Sequence, residues 1–230
     1  MKLPAVTTGT LLTLLCLCCA WLYLKALGQN EYRQAFKVKG AAALCFCALG
    51  LLTARFCSDR AFSLKIVLGL FMGLVGDELL ALRRFFVGKR DLIFALGSVA
   101  FGIGHFLYIS AVSSAGRTIF PLAVLFAAMY AAVSFAYAFR KRMNAGKMQI
   151  FAVVYILVVV FMAACASACA VLTRKAGAIL FALGGICFAV SDNLLCSYQF
   201  GEARTPSVDL AVHVSYYAAQ LLIAWSIAFF

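Results

Sequence analysis

The chain consists of eight long apolar runs that alternate with short segments rich in charged residues. A helix that crosses the hydrocarbon core of a bilayer, about 30 Å thick, needs roughly 20 apolar residues. The apolar positions within each run are continuous, whereas a strand of a membrane β-barrel would alternate over about 10 residues. The pattern therefore predicts eight membrane-spanning helices, over residues 4–27, 40–56, 62–82, 91–113, 118–139, 148–171, 175–198 and 208–229.

The composition supports a membrane protein and excludes a water-soluble domain. Hydrophobic residues make up 66% of the chain and charged residues 12%, which is about half the charged fraction of a soluble domain. The mean hydropathy is +1.03. The segments between the predicted spans, of which residues 30–39 are the longest, are too short for a soluble domain. We therefore expect one all-α membrane domain over residues 1–230.

The net charge of +12 does not indicate a nucleic-acid partner, because the Lys and Arg residues lie in the loops or near the ends of spans. Thirteen of the 20, counting Lys25 near the end of span one, lie on the side of the segments that follow spans one, three, five and seven. Positive residues are enriched on the cytoplasmic side of membrane proteins. The distribution predicts a multi-pass protein of the cell membrane whose two termini are both extracytoplasmic.

A few ionisable residues lie within the predicted spans, where a charge costs about 2.5–3.5 kcal/mol on insertion scales. Three of the eight acidic residues, Asp77, Glu78 and Asp192, are in this position, as are both histidines, His105 and His213. Such residues usually mark a functional site. The structural alternative is that they hydrogen-bond neighbouring helices to one another.

The depth of these residues follows from the helical rise of about 1.5 Å per residue. Asp77 and Asp192 each lie about 9 Å inside the polar end of their span, and His213 lies about 8 Å inside. Spans three and seven run in the same direction and span eight returns from the end they reach. We therefore expect one layer near the cytoplasmic side, with contact between spans three and seven. His105, about 21 Å from that side, lies deeper.

Further polar side chains share helix faces with the two histidines. Span eight carries a stripe at positions i, i+3, i+4 and i+7, formed by His213, Tyr216, Tyr217 and Gln220. Span four carries His105 and Tyr108 on one face. A polar stripe within the membrane faces protein or a water-filled cavity. Glu78 points about 100° away from Asp77. It either lines the same cavity or, as we expect, pairs with Arg83 or Arg84.

An internal similarity indicates a duplication of four helices. The chain reads GDELL around Asp77 and SDNLL around Asp192, and the next span contains His-x-x-Tyr in both cases. The pairs are His105 with Tyr108 and His213 with Tyr216. Two parallel repeats of four helices would place a site at their interface, although Leu-rich spans also produce such matches by chance.

Two carboxylates at one depth indicate acid–base chemistry, since one of a buried pair tends to hold a proton while the other is ionised. A site at this depth meets a lipid near its glycerol backbone, where the bonds are ester, ether or vinyl-ether links. The chain has no G-x-S-x-G motif, so the serine esterase mechanism is disfavoured. The ten cysteines follow no zinc-site spacing and are expected to act as small buried apolar residues.

Four segments in order resemble the YhhN-like lysoplasmalogenase family: GLFMGLVGDELL at residues 69–80, GHFLY at 104–108, Ser191-Asp192, and SYYAAQLLI at 215–223. The resemblance implies eight spans and a hydrolase that splits the vinyl-ether bond of a lysophospholipid, the lysoplasmalogen, into a fatty aldehyde and a glycerophospho-base. The family's proposed catalytic aspartates match Asp77 and Asp192, and no cofactor or metal is expected. Glu78 occupies a position that is often apolar in relatives.

The implied reaction begins with protonation of the alkene carbon, which gives an oxocarbenium ion that water then attacks. One aspartate would be the general acid and the other would stabilise the cation, as in two-carboxylate glycoside hydrolysis. Which aspartate is the acid remains open at this point. The residues expected to bind substrate or orient the carboxylates are His213, Tyr216, Tyr217, Gln220, His105, Tyr108, Asn193 and Glu78.

Three alternative functions use the same residues. A metal-dependent lipid hydrolase could bind zinc through Asp77, Asp192, His213 and His105. A proton-coupled transporter could relay protons through the two aspartates. A structural membrane protein would use them only to join its helices.

Overall fold

A computed structural model describes residues 3–114, 119–201 and 204–230, and this part of the chain contains helices and no strands. The all-α prediction is therefore confirmed. The eight long helices are α1 Leu3–Gly28, α2 Tyr32–Ala54, α3 Arg60–Leu82, α4 Arg90–Ser113, α5 Ile119–Arg140, α6 Gln149–Thr173, α7 Ala176–Phe200 and α8 Pro206–Ser226. Short 3-10 turns adjoin α4, α6 and α8 at Val87–Lys89, Gly146–Met148 and Ile227–Phe229.

Seven of the eight helices are long and apolar enough to cross a membrane. The remaining one is α3, which has 23 residues but carries Lys65, Asp77 and Glu78 among its apolar side chains. It lies alongside α4 through most of its length, from Gly76 near one end to Lys65 near the other, whose ammonium group donates to the Ser110 carbonyl of α4. We therefore place α3 across the membrane beside α4.

Polar side chains cap the start of α3, which carries Asp77, and of α8, which carries Tyr216. The Asp59 carboxylate accepts a hydrogen bond of 2.9 Å from the backbone N–H of Phe62 and caps α3. The hydroxyl of Thr205 accepts from the N–H of Val208, and Pro206 opens α8. Such caps satisfy backbone donors that the first helical turn leaves unpaired.

The expectation that residues 30–39 form a loop is wrong, because α2 begins at Tyr32 and contains Lys39 in its third turn. Lys39 is only 5% exposed. It shares a helix face with Ala35, Ala42 and Ala43, which are also buried, so this segment packs as part of the helix. An ion pair with Asp77 of α3 offsets the cost of burying its ammonium group.

The two halves of the protein pack in equivalent ways. In the α3–α4 pair a Cβ on Gly104 would lie 3.1 Å from the carbonyl oxygen of Gly69. In the α7–α8 pair a Cβ on Gly184 would lie 3.1 Å from the carbonyl oxygen of Ala219. A second contact in each half follows the same pattern. Every residue that makes such a contact in the first half corresponds to a residue 115 positions later that makes the equivalent contact in the second half. The related residues are Gly69 and Gly184, Gly76 and Ser191, Gly97 and Val212, and Gly104 and Ala219.

These contacts support a four-plus-four repeat and correct its register. The offset of 115 relates Asp77 to Asp192, as the sequence similarity predicted. It relates His105 to Gln220, however, and not to His213, which lies two turns earlier on α8. The His-x-x-Tyr match was therefore misleading, because close contacts between helix backbones and not a short motif set the register.

Candidate active site

Asp77 lies in a buried ion pair and is 2% exposed. Its Oδ1 is 2.9 Å from Nζ of Lys39 on α2, and its Oδ2 accepts a hydrogen bond of 2.7 Å from the hydroxyl of Tyr216 on α8. The same hydroxyl accepts from Nε2 of Gln220 at 2.8 Å. Asp77 thus joins α2, α3 and α8, and the adjacent ammonium group stabilises its charged form.

His213 does not contact either aspartate. Its Nδ1 is 2.7 Å from the carbonyl oxygen of Asp209 in the preceding turn, and its ring packs against Tyr23 of α1 at 5.0 Å between centroids. Lys39 lies over the same tyrosine, with Nζ 5.5 Å from the ring centre. His213 is therefore separated from Asp77 by the side chains of Tyr23 and Lys39.

Asp192 has different neighbours, although it is almost as deeply buried, at 5% exposed. Its Oδ2 accepts a hydrogen bond of 2.7 Å from the hydroxyl of Tyr155 on α6. Nε2 of His105 on α4 lies 3.9 Å from the same oxygen. His105 is 1% exposed, and neither of its ring nitrogens has a hydrogen-bond partner among the described residues. The groups around this carboxyl are therefore a phenol and an imidazole.

A small cavity adjoins Asp192 between α3, α4, α6 and α7. Its volume is about 10 Å³, close to the minimum that holds one water molecule. Five aromatic rings contribute to its wall, with Ser98, Cys196 and small aliphatic side chains completing it. The rings belong to Phe94, Phe101, Phe151, Tyr155 and Phe200.

Arg83 lies just beyond the end of α3, next to this cavity. Its Nη2 donates to Oε1 of Gln199 on α7 at 2.9 Å, and its guanidinium carbon is 5.3 Å from the ring centre of Phe94. Burial, followed by repulsion from Arg84, lowers the pKa of the Arg83 guanidinium. Arg side chains nevertheless remain protonated in proteins, so a cation lies beside the aromatic wall.

Aromatic rings connect the two aspartates. The ring of Tyr216, which binds Asp77, lies 5.5 Å from that of Phe188, and the ring of Phe188 lies 4.6 Å from that of His105. α3 packs on α2, α4 and α8, while α7 packs on α5, α6 and α8. α3 and α7 meet at their polar ends, where Leu80 and Asp192 line one cavity and Arg83 donates to Gln199. The expected contact between spans three and seven is therefore present there, but it does not join Asp77 to Asp192. Asp77 binds donors on α2 and α8, whereas Asp192 binds a donor on α6.

Tyr108 and Tyr217 are buried in the same aromatic region. The Tyr108 ring packs directly on Gly69 of α3, where any side chain would collide with it. The ring of Tyr217 lies 5.3 Å from that of Tyr216. Neither hydroxyl has a hydrogen-bond partner among the described residues. Both residues therefore lie near the candidate site without touching a carboxylate.

Asn193 and Glu78 point away from their neighbouring aspartates. The Nδ2 of Asn193 donates to the hydroxyl of Ser134 on α5 at 3.1 Å. Oε1 of Glu78 lies against Gly40 of α2, where a Cβ would be 2.7 Å away. The expected pairing of Glu78 with a loop arginine is wrong. Arg83 binds Gln199 of α7, and Arg84 lies over the ring of Tyr32.

Sequence reasoning missed two residues that bind the aspartates, Lys39 and Tyr155. Lys39 was assigned to a loop, although the small residues around it follow a helical spacing. Tyr155 is the only polar side chain between residues 150 and 162. A single hydroxyl in so apolar a run was a usable signal, because a buried phenol normally finds a hydrogen-bond partner.

The four residues considered as zinc ligands do not form one set. His105 lies near Asp192, whereas His213 binds Asp209 and Asp77 binds Lys39. Among residues 3–114, 119–201 and 204–230, no three His, Cys, Asp or Glu side chains come together as a metal site would need.

A row of cavities leads from Asp192 to the outer surface of α5, α6 and α7. A cavity of about 80 Å³ shares Ala152, Cys196 and Phe200 with the cavity at Asp192. It shares Ser134 and Asn193 with a larger, mainly apolar cavity of about 390 Å³. Shared wall residues therefore connect the surroundings of the carboxyl, step by step, to a space of ligand size.

No curated protein and no solved structure matches the chain. The model of the YhhN family matches residues 34–227, which include Lys39, Asp77, Tyr155 and Asp192. Since this match covers most of the sequence, the chain belongs to the YhhN family.

Proposed function

We propose that this protein is a membrane hydrolase that cleaves the vinyl-ether bond of lysoplasmalogens to a fatty aldehyde and a glycerophospho-base. Membership of the YhhN family supports this class of function. The observation that carries the proposal is Asp192, a buried acid beside an aromatic cavity of about 10 Å³. It lies eight residues before the end of α7, about 12 Å along the helix. A lipid there exposes its glycerol backbone and adjoining bonds.

Asp192 is the better candidate for the general acid. A buried carboxyl that faces a phenol and an imidazole is more stable protonated than ionised. Tyr155 donates to Oδ2, so Oδ1 would carry the proton. Transfer of that proton to the alkene carbon remote from the ether oxygen leaves an oxocarbenium ion and the Asp192 carboxylate.

The surroundings of Asp192 suit the remaining steps. The carboxylate and the aromatic faces stabilise the cation, and the cavity has room for the attacking water. Water adds to the cationic carbon and returns a proton to Asp192. The hemiacetal then collapses to the aldehyde as a proton passes to the glycerol oxygen. Buried imidazole nitrogens without partners favour a nearby water, and His105 has two.

Asp77 would act as a positioning residue. Its Oδ1 pairs with Lys39 and its Oδ2 accepts from Tyr216, so both oxygens are engaged by donors, and the second bond fixes the Tyr216 ring against Phe188. The ring of Phe188 in turn packs edge-on against His105. Asp77 thus supports the shape of the aromatic region without contacting the substrate.

The row of cavities between α5, α6 and α7 would hold the hydrocarbon chain of the lysolipid. The largest cavity of this row, about 390 Å³, lies in the range of ligand pockets, and its walls are mainly apolar. The smaller cavities between it and Asp192 share wall residues with one another, which supports this occupant. The chain would lie in the membrane while the vinyl ether reached Asp192.

The test is release of fatty aldehyde by purified protein from an alkenyl lysophosphoethanolamine, with the uncleavable alkyl analogue as control. We expect release that continues in the presence of a chelator. Absence of release, or equal release by an Asp192→Asn variant, would contradict the proposal. Activity lost with chelator and restored by zinc would favour the metal-dependent alternative.

Proton-coupled transport is the second candidate, and the buried pair of Lys39 and Asp77 favours it. Through Tyr23, this pair is followed by His213 and Asp209, which lie toward the N-terminal end of α8. Proton uptake into proteoliposomes that depends on a solute, in protein that releases no aldehyde, would establish this alternative.

A further inference from the structure

Arg83 lies one aromatic ring away from the candidate catalytic cavity. Its guanidinium group stacks on Phe94, at 5.3 Å from the ring centre. Phe94 packs edge-on against Phe200 with centroids 5.6 Å apart, and both rings line the cavity at Asp192. An anionic group bound to Arg83 would therefore lie just outside that cavity, at the polar end of α3.

The described contacts of Arg83 leave capacity for an anion. A guanidinium group has five N–H donors, and Nη2 of Arg83 donates to a neutral amide, that of Gln199. Arg83 is about half-buried, where a cation benefits from a negative partner. Arg is the side chain best suited to phosphate, because its donors match two oxygens at once.

The surrounding charge also favours an anion. Residues 83–90 contain four basic side chains and no acidic one, the basic residues being Arg83, Arg84, Lys89 and Arg90. Such a field attracts anions toward its half-buried member. In a lysoplasmalogen, the glycerol backbone separates the vinyl ether from the phosphate. Phe94 separates Asp192 from Arg83 in a similar way.

We propose that Arg83 is the binding site for the phosphate of the lysophospholipid substrate, with Phe94 as the spacer between head group and catalytic cavity. This inference rests on the proposed function for the identity of the substrate. Arg83 takes no part in bond cleavage. It selects substrates that carry a phosphate and places their vinyl ether beside Asp192.

The adjacent arginine provides a matched control, since Arg84 lies over the exposed ring of Tyr32 and away from the cavity. We expect Arg83→Gln to raise KM for the alkenyl lysophosphoethanolamine by about tenfold to hundredfold, with kcat nearly unchanged. Arg84→Gln should change neither constant, and Arg83→Lys should recover part of the loss. With 1-alkenylglycerol, which lacks phosphate, Arg83→Gln should behave like the unchanged protein.

Equal losses for the two substrates in Arg83→Gln would show a merely structural role and overturn the proposal. So would equal effects of Arg83→Gln and Arg84→Gln. Competition by glycerophosphoethanolamine but not by inorganic phosphate would assign the site to the lipid head group. Competition by both would assign it to phosphate in general, and competition by neither would overturn the proposal.

A binding measurement separates this inference from the proposed reaction. The uncleavable 1-alkyl lysophosphoethanolamine can be titrated into detergent-solubilised protein by calorimetry. Weaker binding to Arg83→Gln than to Arg84→Gln would support the phosphate site even if no vinyl ether were hydrolysed. Equal binding to both variants would overturn it even if hydrolysis were confirmed.

Discussion

Asp77 and Asp192 occupy equivalent positions in the two halves of the protein, yet their partners differ. Asp77 binds the ammonium group of Lys39 and the hydroxyl of Tyr216. Asp192 binds the hydroxyl of Tyr155 and lies near an imidazole. An ion pair holds a carboxylate in its charged form, whereas neutral donors leave a carboxyl free to carry a proton. Two related sites can therefore divide structural and chemical roles between them.

The largest effect is expected when Asp192 can no longer carry a proton. Asp192→Asn keeps an acceptor for Tyr155 but has no acidic proton, so aldehyde release should fall about 10²–10⁴-fold. The melting temperature in detergent should stay near that of the unchanged protein. A variant that retains most of its activity would show that Asp192 is not the acid.

The corresponding change in the other half should act on stability. Asp77→Asn leaves the Lys39 ammonium group buried without its counter-charge, which costs about 3–5 kcal/mol, measured by denaturant titration in micelles. Replacing both partners, with Lys39→Met and Asp77→Leu, should restore much of this loss. If Asp77→Asn were fully stable but inactive, the assignment of roles would be reversed.

Two tyrosine variants sharpen the contrast. Tyr155→Phe removes the bond that orients the proposed acid, and kcat should fall about 10-fold or more. Tyr216→Phe removes a donor to Asp77 and an acceptor for Gln220, which should lower stability by about 1–3 kcal/mol. Similar effects of both variants on kcat would show that the two carboxyls act together.

The smallest expected effect concerns the hydrocarbon chain. Ala189→Phe would fill part of the cavity of about 390 Å³, and kcat/KM should fall about 10-fold for a long alkenyl chain but little for a short one. Ala127→Phe is the control, because it lies in a different apolar cavity between α4, α5 and α6. Equal effects at the two positions would place the chain elsewhere.

The sequence predicted the helices, and the burial of two aspartates within them, for one physical reason. Long apolar runs have few alternatives to spanning helices, and a charge inside such a run needs an explanation. The boundary of α2 was wrong because Lys39 resembles a loop residue until its partner, Asp77, is known. The pattern of residues around Lys39 gives no information about its pairing with Asp77, which lies on the next helix.

The layer of residues at one depth was only partly correct. Depth follows from the helical rise, but the direction in which a side chain points depends on how helices rotate and pack. His213, expected in the same layer as the aspartates, packs against α1, whereas His105, expected to lie deeper, reaches Asp192. Tyr155 was missed because a phenol costs little to bury and does not interrupt an apolar run.

The offset of 115 residues between equivalent contacts has a consequence for the history of the fold. Four helices return the chain to the side from which it started, so a second copy enters the membrane in the same orientation as the first. An ancestral protein of four helices could have paired with itself, but both copies would then have had identical aspartates. Joining two such copies in one chain would allow the difference seen here, with lysine beside one aspartate and tyrosine beside the other.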